Sequence, residues 1–239
     1  MIFKSNAITH IGLVRKLNED AFAERSDIGV WVVADGIGGH AAGEVASKAV
    51  TDSIKCLESN RNFDEMLEAV KRSLENANRQ LREQTDTYTS KRPPGSTVVV
   101  LIINDTKGAV VWVGDSRVYQ CRNQKLTQLT RDHSHVQNLL DQGIIKAEDA
   151  ESHPLSNIIT RAIGILDLLQ IDSREIEVLP GDQFLLCTDG LSHVVANSQI
   201  EAIMQKNTSK EVVQSLLQTT LERGAPDNVT LIHVSDSSG

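Results

Sequence analysis

Short apolar runs rich in β-branched residues constrain this chain most. Val30–Ala34, Val98–Ile103, Ala109–Val113, Arg117–Cys121, Phe184–Cys187 and Val229–Val234 are each four to six residues long. That length and composition favour strands over helices. Ala109–Val113 and Arg117–Cys121 flank Gly114-Asp115-Ser116 like the arms of a hairpin. Between the groups of strands lie helical patterns. Phe63, Met66, Leu67, Val70, Leu74, Ala77 and Leu81 recur at spacings of three and four. Ala41 to Leu57 is helix-compatible, and a stripe of Val212, Val213, Leu216, Leu217 and Leu221 follows Ser209, its predicted cap. Ser198 with Glu201 reads as a capping box opening a helix that carries Ile200, Ile203 and Met204. Helices grouped between strand clusters, instead of one after each strand, predict an α+β fold of antiparallel sheets covered by helices.

Charge and composition exclude several functions. Lys plus Arg number 24 and Asp plus Glu 32, a formal net charge of −8, so the overall field repels nucleic acid and anionic membranes. With four Phe, two Trp and two Tyr there is little material for stacking bases or sugars. Cys56, Cys121 and Cys187 are widely spaced and form neither a zinc pattern nor a disulfide framework. The charged first 20 residues read as no signal peptide, and no apolar run approaches membrane-spanning length. These features predict a monomeric protein of the reducing cytoplasm, with residues 1–239 as a single domain.

Carboxylates stand where strands end. Val32-Val33-Ala34 runs into Asp35-Gly36, Trp112-Val113-Gly114 into Asp115-Ser116, and Leu186-Cys187-Thr188 into Asp189-Gly190. Singly, each is a turn signal. Three of them, joined by Asp20 (five residues after Arg15) and by Asp227-Asn228 before the last strand, suggest carboxylates held toward one point. Such a set selects a hard cation such as Mg²⁺ or Mn²⁺, because converging carboxylates without one repel each other. The remaining histidines (His10, His133, His135, His153, His193 and His233) are too scattered for a zinc site. Ser116 reads as a turn residue, with no nucleophile elbow around it.

Arg15-x-x-Asn18-Glu19-Asp20, Ala34-Asp35-Gly36-Ile37-Gly38-Gly39-His40, Gly114-Asp115-Ser116-Arg117, Thr188-Asp189-Gly190 and Asp227-Asn228-Val229-Thr230 occur in that order. Together they resemble the motif set of the metal-dependent Ser/Thr protein phosphatases, the PPM or type 2C family, in its compact bacterial form. The resemblance spans essentially the whole chain. It implies two packed antiparallel sheets flanked by helices on both sides, an α-β-β-α sandwich, forming one catalytic domain.

The resemblance also implies roles. Asp35 corresponds to a carboxylate bridging two core Mg²⁺ or Mn²⁺ ions, with the Gly36 carbonyl, Asp20, Asp189 and Asp227 completing their ligands. Asp115, with Asp189, corresponds to the holder of a third, weaker ion. Arg15 corresponds to the residue that grips the substrate phosphate, and its planar fork suits two phosphate oxygens. His40 matches the general acid, Glu19 an acidic position behind the ligands, and Asn228 a residue that orients water or substrate. The implied reaction is hydrolysis of phosphoserine or phosphothreonine by direct attack of a hydroxide bridging the metals. The implied partners are phosphorylated proteins, a Ser/Thr kinase and its targets, and the polar stretch 131–157 corresponds to a flap beside the cleft. Competing readings are a pseudophosphatase keeping the fold without turnover, a cation-binding structural domain, and a phosphatase for small phosphorylated metabolites. The complete ligand set argues against the first, and Arg15 with His40 against the second.

Overall fold

The computed structural model describes all residues except 39–40, 84–93, 151–152, 156–157 and 237–239; for 41, 147 and 148 the backbone alone is described. In chain order the elements are β1 (Phe3–His10), β2 (Asp20–Arg25), β3 (Val30–Ile37), α1 (Ala41–Lys55), α2 (Phe63–Glu83), β4 (Gly95–Ser96), β5 (Val98–Asn104), β6 (Lys107–Val113), β7 (Arg117–Arg122), β8 (Lys125–Gln128), α3 (His135–Asp141), α4 (Ala147–Ala150), β9 (Asp172–Glu177), β10 (Gln183–Cys187), α5 (Asp189–Ser192), α6 (Asn197–Lys206), α7 (Ser209–Glu222) and β11 (Val229–Asp236). One sheet runs β1-β11-β10-β7-β8 and the other β2-β3-β5-β6-β9, with β4 paired to β3. All these pairings are antiparallel.

Alternation along the central strands builds the layers. On β3, Val30, Val32 and Ala34 face α1 and α2, while Trp31 and Val33 face the other sheet. β5 and β6 divide the same way: Val98, Val100, Val111 and Val113 go to the helices, and Val99, Leu101, Val110 and Trp112 go between the sheets. From the second sheet, Phe184, Leu186, Ile232 and Val234 complete the middle layer, and Leu185, Cys187 and Leu231 pack against α5, α6 and α7. Both faces of each central strand are covered, so its sequence is apolar almost without interruption. The result is the α-β-β-α sandwich. Burying one such Val, Ile or Leu contributes about 1.5–3 kcal/mol.

Three local expectations need correction. Ala109–Val113 and Arg117–Cys121 are not hairpin arms: β6 pairs with β5 and β9, and β7 with β10 and β8. Gly114-Asp115-Ser116 therefore carries the chain from one sheet to the other. Gly114 adopts φ +110°, and a Cβ there would lie 2.5 Å from Thr97 Cβ, so the crossing requires glycine. Ser198 forms no capping box; α6 starts at Asn197, and Glu201 Oε2 instead accepts from Leu126 N–H at 2.6 Å. The cap of α7 is Thr208, not Ser209, in a reciprocal box with Glu211. Ser209 Oγ bonds His233 Nδ1 at 2.8 Å and accepts from Asn6 Nδ2 at 2.9 Å.

Candidate metal centre

Register brings the acidic strand ends together. Asp20 opens β2 directly across from Asp35 near the end of β3, and Cys187, two residues before Asp189, lies across from Leu231 near the start of β11. Arg15, Glu19, Asp35, Gly36, Asp115, Asp189, Asp227 and Asn228 all line one cavity of ≈ 810 Å³. Asp20, 7% exposed, is not among the residues lining it and is placed beside the site by its pairing with Asp35. His40 lies outside the described residues.

Backbone contacts fix the carboxylates. The Asp35 carbonyl accepts from Ser96 Oγ at 3.0 Å and from Thr97 N–H at 2.8 Å, while Thr97 Oγ1 accepts from Asp35 N–H at 3.2 Å. Thr97 Oγ1 also shares a hydrogen bond with buried Ser116 Oγ at 2.8 Å, tying the Asp35 turn to the Asp115 crossing. His133 holds that crossing from behind. Its N–H donates to Gly114 O at 2.9 Å, and its Nδ1 accepts from Gly114 N–H at 3.1 Å. Thr188 Oγ1 donates to Asp20 Oδ2 at 3.0 Å and accepts from Thr230 N–H at 3.0 Å. Two glycines permit the close packing: a Cβ on Gly36 would lie 2.1 Å from Gly43 O, and one on Gly190 would lie 1.9 Å from Asn228 O.

The Arg15 loop closes one side. Arg15 Nη2 donates to Asp227 Oδ2 at 2.6 Å, with the Arg15 side chain 52% exposed. Asn228 anchors this loop: its Oδ1 accepts from Glu19 N–H at 2.8 Å, and its Nδ2 donates to Ile11 O at 2.8 Å and Leu17 O at 3.0 Å. The Asn228 amide is thus engaged with backbone, where the sequence suggests a residue orienting water or substrate. The flap stretch supplies Ser134, Val136, Gln137 and Leu140 to the same cavity, on or just before α3.

Electrostatics set the character of the site. Burial, first of all, pushes the Asp20 carboxyl up to about 8; hydrogen bonds from Thr230 and Thr188 oppose the shift, and the charges of Asp189 and Asp227 add to it. Burial, then Asp20, Asp189, Asp115 and Asp227, holds Asp35 well above the ordinary carboxylate range. Asp115 is raised likewise by burial, then by Asp189 and Asp132. Asp20 Oδ1 and Asp189 Oδ1 are sealed from solvent and accept no hydrogen bond. Buried, mutually repelling, underbonded oxygen donors fit divalent cations with hard-ligand preferences.

Ser96, Thr97, Thr188 and His133 support the ligands; family-like strings contain them, but their partners lie too far along the chain for the sequence to show what each one holds. His193, scattered among the histidines when read in sequence, is a further departure. Its Nδ1 lies 3.4 Å from Asp189 Oδ2, and donor atoms of Asp115, Asp189 and His193 all fall within 4.8 Å of one another. The one available signal is its spacing of four residues from Asp189, a shared helical face.

Residues 4–229 match the family model for protein phosphatase 2C. The serine/threonine protein phosphatase PstP of Mycobacterium tuberculosis is 33% identical over 97% of this chain, which spans 45% of that protein's length. The serine/threonine phosphatase stp of Listeria monocytogenes is 32% identical over 95% of this chain and 93% of its own. Among solved structures, PppA, described as a regulatory component of a type VI secretion system in Pseudomonas aeruginosa, superposes with a TM-score of 0.92 at 36% identity, covering 99% of each chain. The PstP catalytic domain, solved in complex with two manganese ions, superposes with a TM-score of 0.89 at 31% identity, covering 98% of this chain and 97% of that one.

Proposed function

The chain belongs to the protein phosphatase 2C family, and on that premise we propose that it is a metal-dependent phosphatase of phosphoserine and phosphothreonine in proteins. The observation that carries this reading is the convergence of Asp35, Asp115, Asp189 and Asp227 on one cavity beside Arg15, with buried Asp20 paired across from Asp35. We assign Asp20, Asp35, Asp189, Asp227 and the Gly36 carbonyl to two core ions, and Asp115 with Asp189 to a third. Bound there, Mg²⁺ or Mn²⁺ lowers the pKa of water and screens phosphoryl charge.

The protein's own groups do the rest. Arg15 neutralises phosphoryl oxygens, and its pairing with Asp227 keeps the guanidinium at the cavity. Asn228 keeps the Arg15 loop in register with Asp227. Ser116 is 1% exposed and bonded to Thr97, so it is closed off as a nucleophile, in keeping with direct transfer to water and no phosphoenzyme. Protonation of the leaving alkoxide is assigned to His40 on the motif resemblance. The flap stretch, 131–157, of which 151–152 and 156–157 lie outside the described residues, shapes access for the phosphoprotein through Ser134, Gln137 and Leu140 at the cavity. On this reading residues 1–239 form one monomeric catalytic domain, acting in the cytoplasm on a Ser/Thr kinase and that kinase's targets. Free Cys56, Cys121 and Cys187 are compatible with a reducing compartment. No helix among the described residues is long and apolar enough to cross a membrane.

Hydrolysis of a phosphothreonine peptide tests the proposal. It should vanish in chelator and return with Mn²⁺ or Mg²⁺ but not with Ca²⁺, whose longer bonds and larger ligand demand misfit the cluster. Full turnover after exhaustive metal removal would refute it.

A further inference from the structure

Resting on the reading of Arg15 as the phosphate-binding residue, we propose that the aliphatic side chains beside it, Leu13, Val14 and Leu17, form a rim of the cavity that selects phosphoproteins by sequence, favouring those with a large aliphatic residue next to the phosphorylated Ser or Thr. Leu13 is 63% exposed, Val14 67% and Leu17 46%, three large apolar side chains within five residues. Single exposed aliphatics are ordinary, whereas a group of them among charged residues marks a place where another molecule binds. Arg15 and Lys16 stand between them, and both are exposed as well.

The frame of the loop keeps these side chains in water. Leu13 N–H donates to Ala225 O at 2.9 Å, Asn228 Nδ2 donates to Ile11 O at 2.8 Å and Leu17 O at 3.0 Å, and Asn18 Nδ2 donates to Thr9 Oγ1 at 2.9 Å. Gly12 adopts φ +82°, and a Cβ on it would lie 2.2 Å from Asp227 O, so the turn is pressed against the segment that carries Asp227. A loop pinned at both ends cannot swing to bury its apolar side chains against the core, and a bound partner is what takes them out of water.

Position names the partner. Arg15 lines the cavity together with Asp35, Asp189 and Asp227, so a phosphate bound there brings the chain that carries it against the same loop. Val14 is the immediate neighbour of Arg15, and Leu13 and Leu17 are two positions away. Consecutive residues of a substrate are about 3.8 Å apart, which puts the neighbours of the phosphorylated residue within reach of side chains this close to Arg15. The flap stretch offers the same chemistry, since Ile159 lines the cavity and Ile158 beside it is exposed. An anionic lipid surface fits poorly, because the chain carries a net charge of −8. Contacts of this kind are equal in the bound substrate and in the transition state, so they act on KM and leave kcat alone.

Two phosphothreonine peptides, one with Leu and one with Ser on both sides of the phosphorylated residue, test this with the Mn²⁺-loaded whole chain. Wild type should hydrolyse the Leu peptide with a kcat/KM about tenfold higher, the difference lying in KM. In the double variant Leu13→Ser with Val14→Ser that ratio should fall to about one through a raised KM on the Leu peptide. Leu13→Ile with Val14→Ile should keep the preference. Equal kcat/KM for the two peptides in wild type overturns the inference alone and leaves the rim to another partner, such as a second copy of the chain. A preference that survives in the double Ser variant, or that resides in kcat, overturns it as well. Wild type that turns over neither peptide overturns the proposed function and this inference together.

Discussion

Replacing Asp20 by Asn removes a carboxylate that the fold holds at a cost. In the unfolded chain its pKa is the ordinary 3.8; in the metal-free fold, burial pushes it up to about 8. Between those values the folded state keeps a proton that the unfolded state has released. Stability of the metal-free protein therefore falls as pH rises through that window, by about 1.4 kcal/mol per pH unit from Asp20 alone. At pH 7 the accumulated penalty is about 4 kcal/mol. Asn keeps an oxygen to accept from Thr188 Oγ1 and carries no charge, so Asp20→Asn should stabilise the chelated protein by up to that amount. The gain should shrink toward zero near pH 4. Urea unfolding in chelator, at several pH values between 4 and 8, measures the difference between the two proteins. With saturating Mn²⁺ the order should reverse, since wild type then gains binding energy that the variant lacks. A variant less stable than wild type in chelator at pH 7, or one with an unchanged pH slope, would refute the reasoning.

Arg15→Ala should raise KM and also lower kcat, with kcat/KM falling on the order of a hundredfold on both p-nitrophenyl phosphate and a phosphopeptide in steady-state assays. Asn228→Ala leaves Glu19 N–H, Ile11 O and Leu17 O without their partner; unfolding should show a loss of about 1–3 kcal/mol, and kinetics a raised KM through the loosened Arg15 loop. His233 is buried and pushed down to about 4 from 6.5, so the unfolded chain binds the proton first and stability is lost as pH falls through that window. His233→Gln should flatten that acid limb by up to about 3 kcal/mol in pH-dependent unfolding.

The central strands are legible in sequence because both of their faces are buried: β3, β5, β6 and β10 carry unbroken apolar runs, and β11 is interrupted only by Thr230 and His233 before its polar end. Apart from the two-residue β4, the strands that escape the pattern, β1, β2, β8 and β9, are the four sheet edges. Edges are half-exposed, so β9 reads Asp-Ser-Arg-Glu-Ile-Glu, with no apolar run to find. The mistaken hairpin has a related cause. A Gly-Asp-Ser turn between two strands looks the same locally whether the chain returns within one sheet or passes to the next. In the site, Asp35, Asp189 and Asp227 are legible because each sits beside a strand in a recognisable string. Their supports are not, because Thr188 and Asp20 are 168 residues apart and the His133 clamp meets Gly114 across 19. His193 is hidden for another reason: a lone histidine four residues after an Asp is common, and only placing Asp115 across from it gives the pair meaning.

Diffraction from crystals soaked in Mn²⁺, with anomalous data collected for manganese, tests most directly whether the converging carboxylates are a metal centre. Two peaks about 3.5–4 Å apart, each within bonding distance of Asp35 and flanked by Asp20, Asp189 or Asp227, are the expected result. A cleft without anomalous density at saturating Mn²⁺, or a single peak that leaves Asp35 unligated, would contradict it.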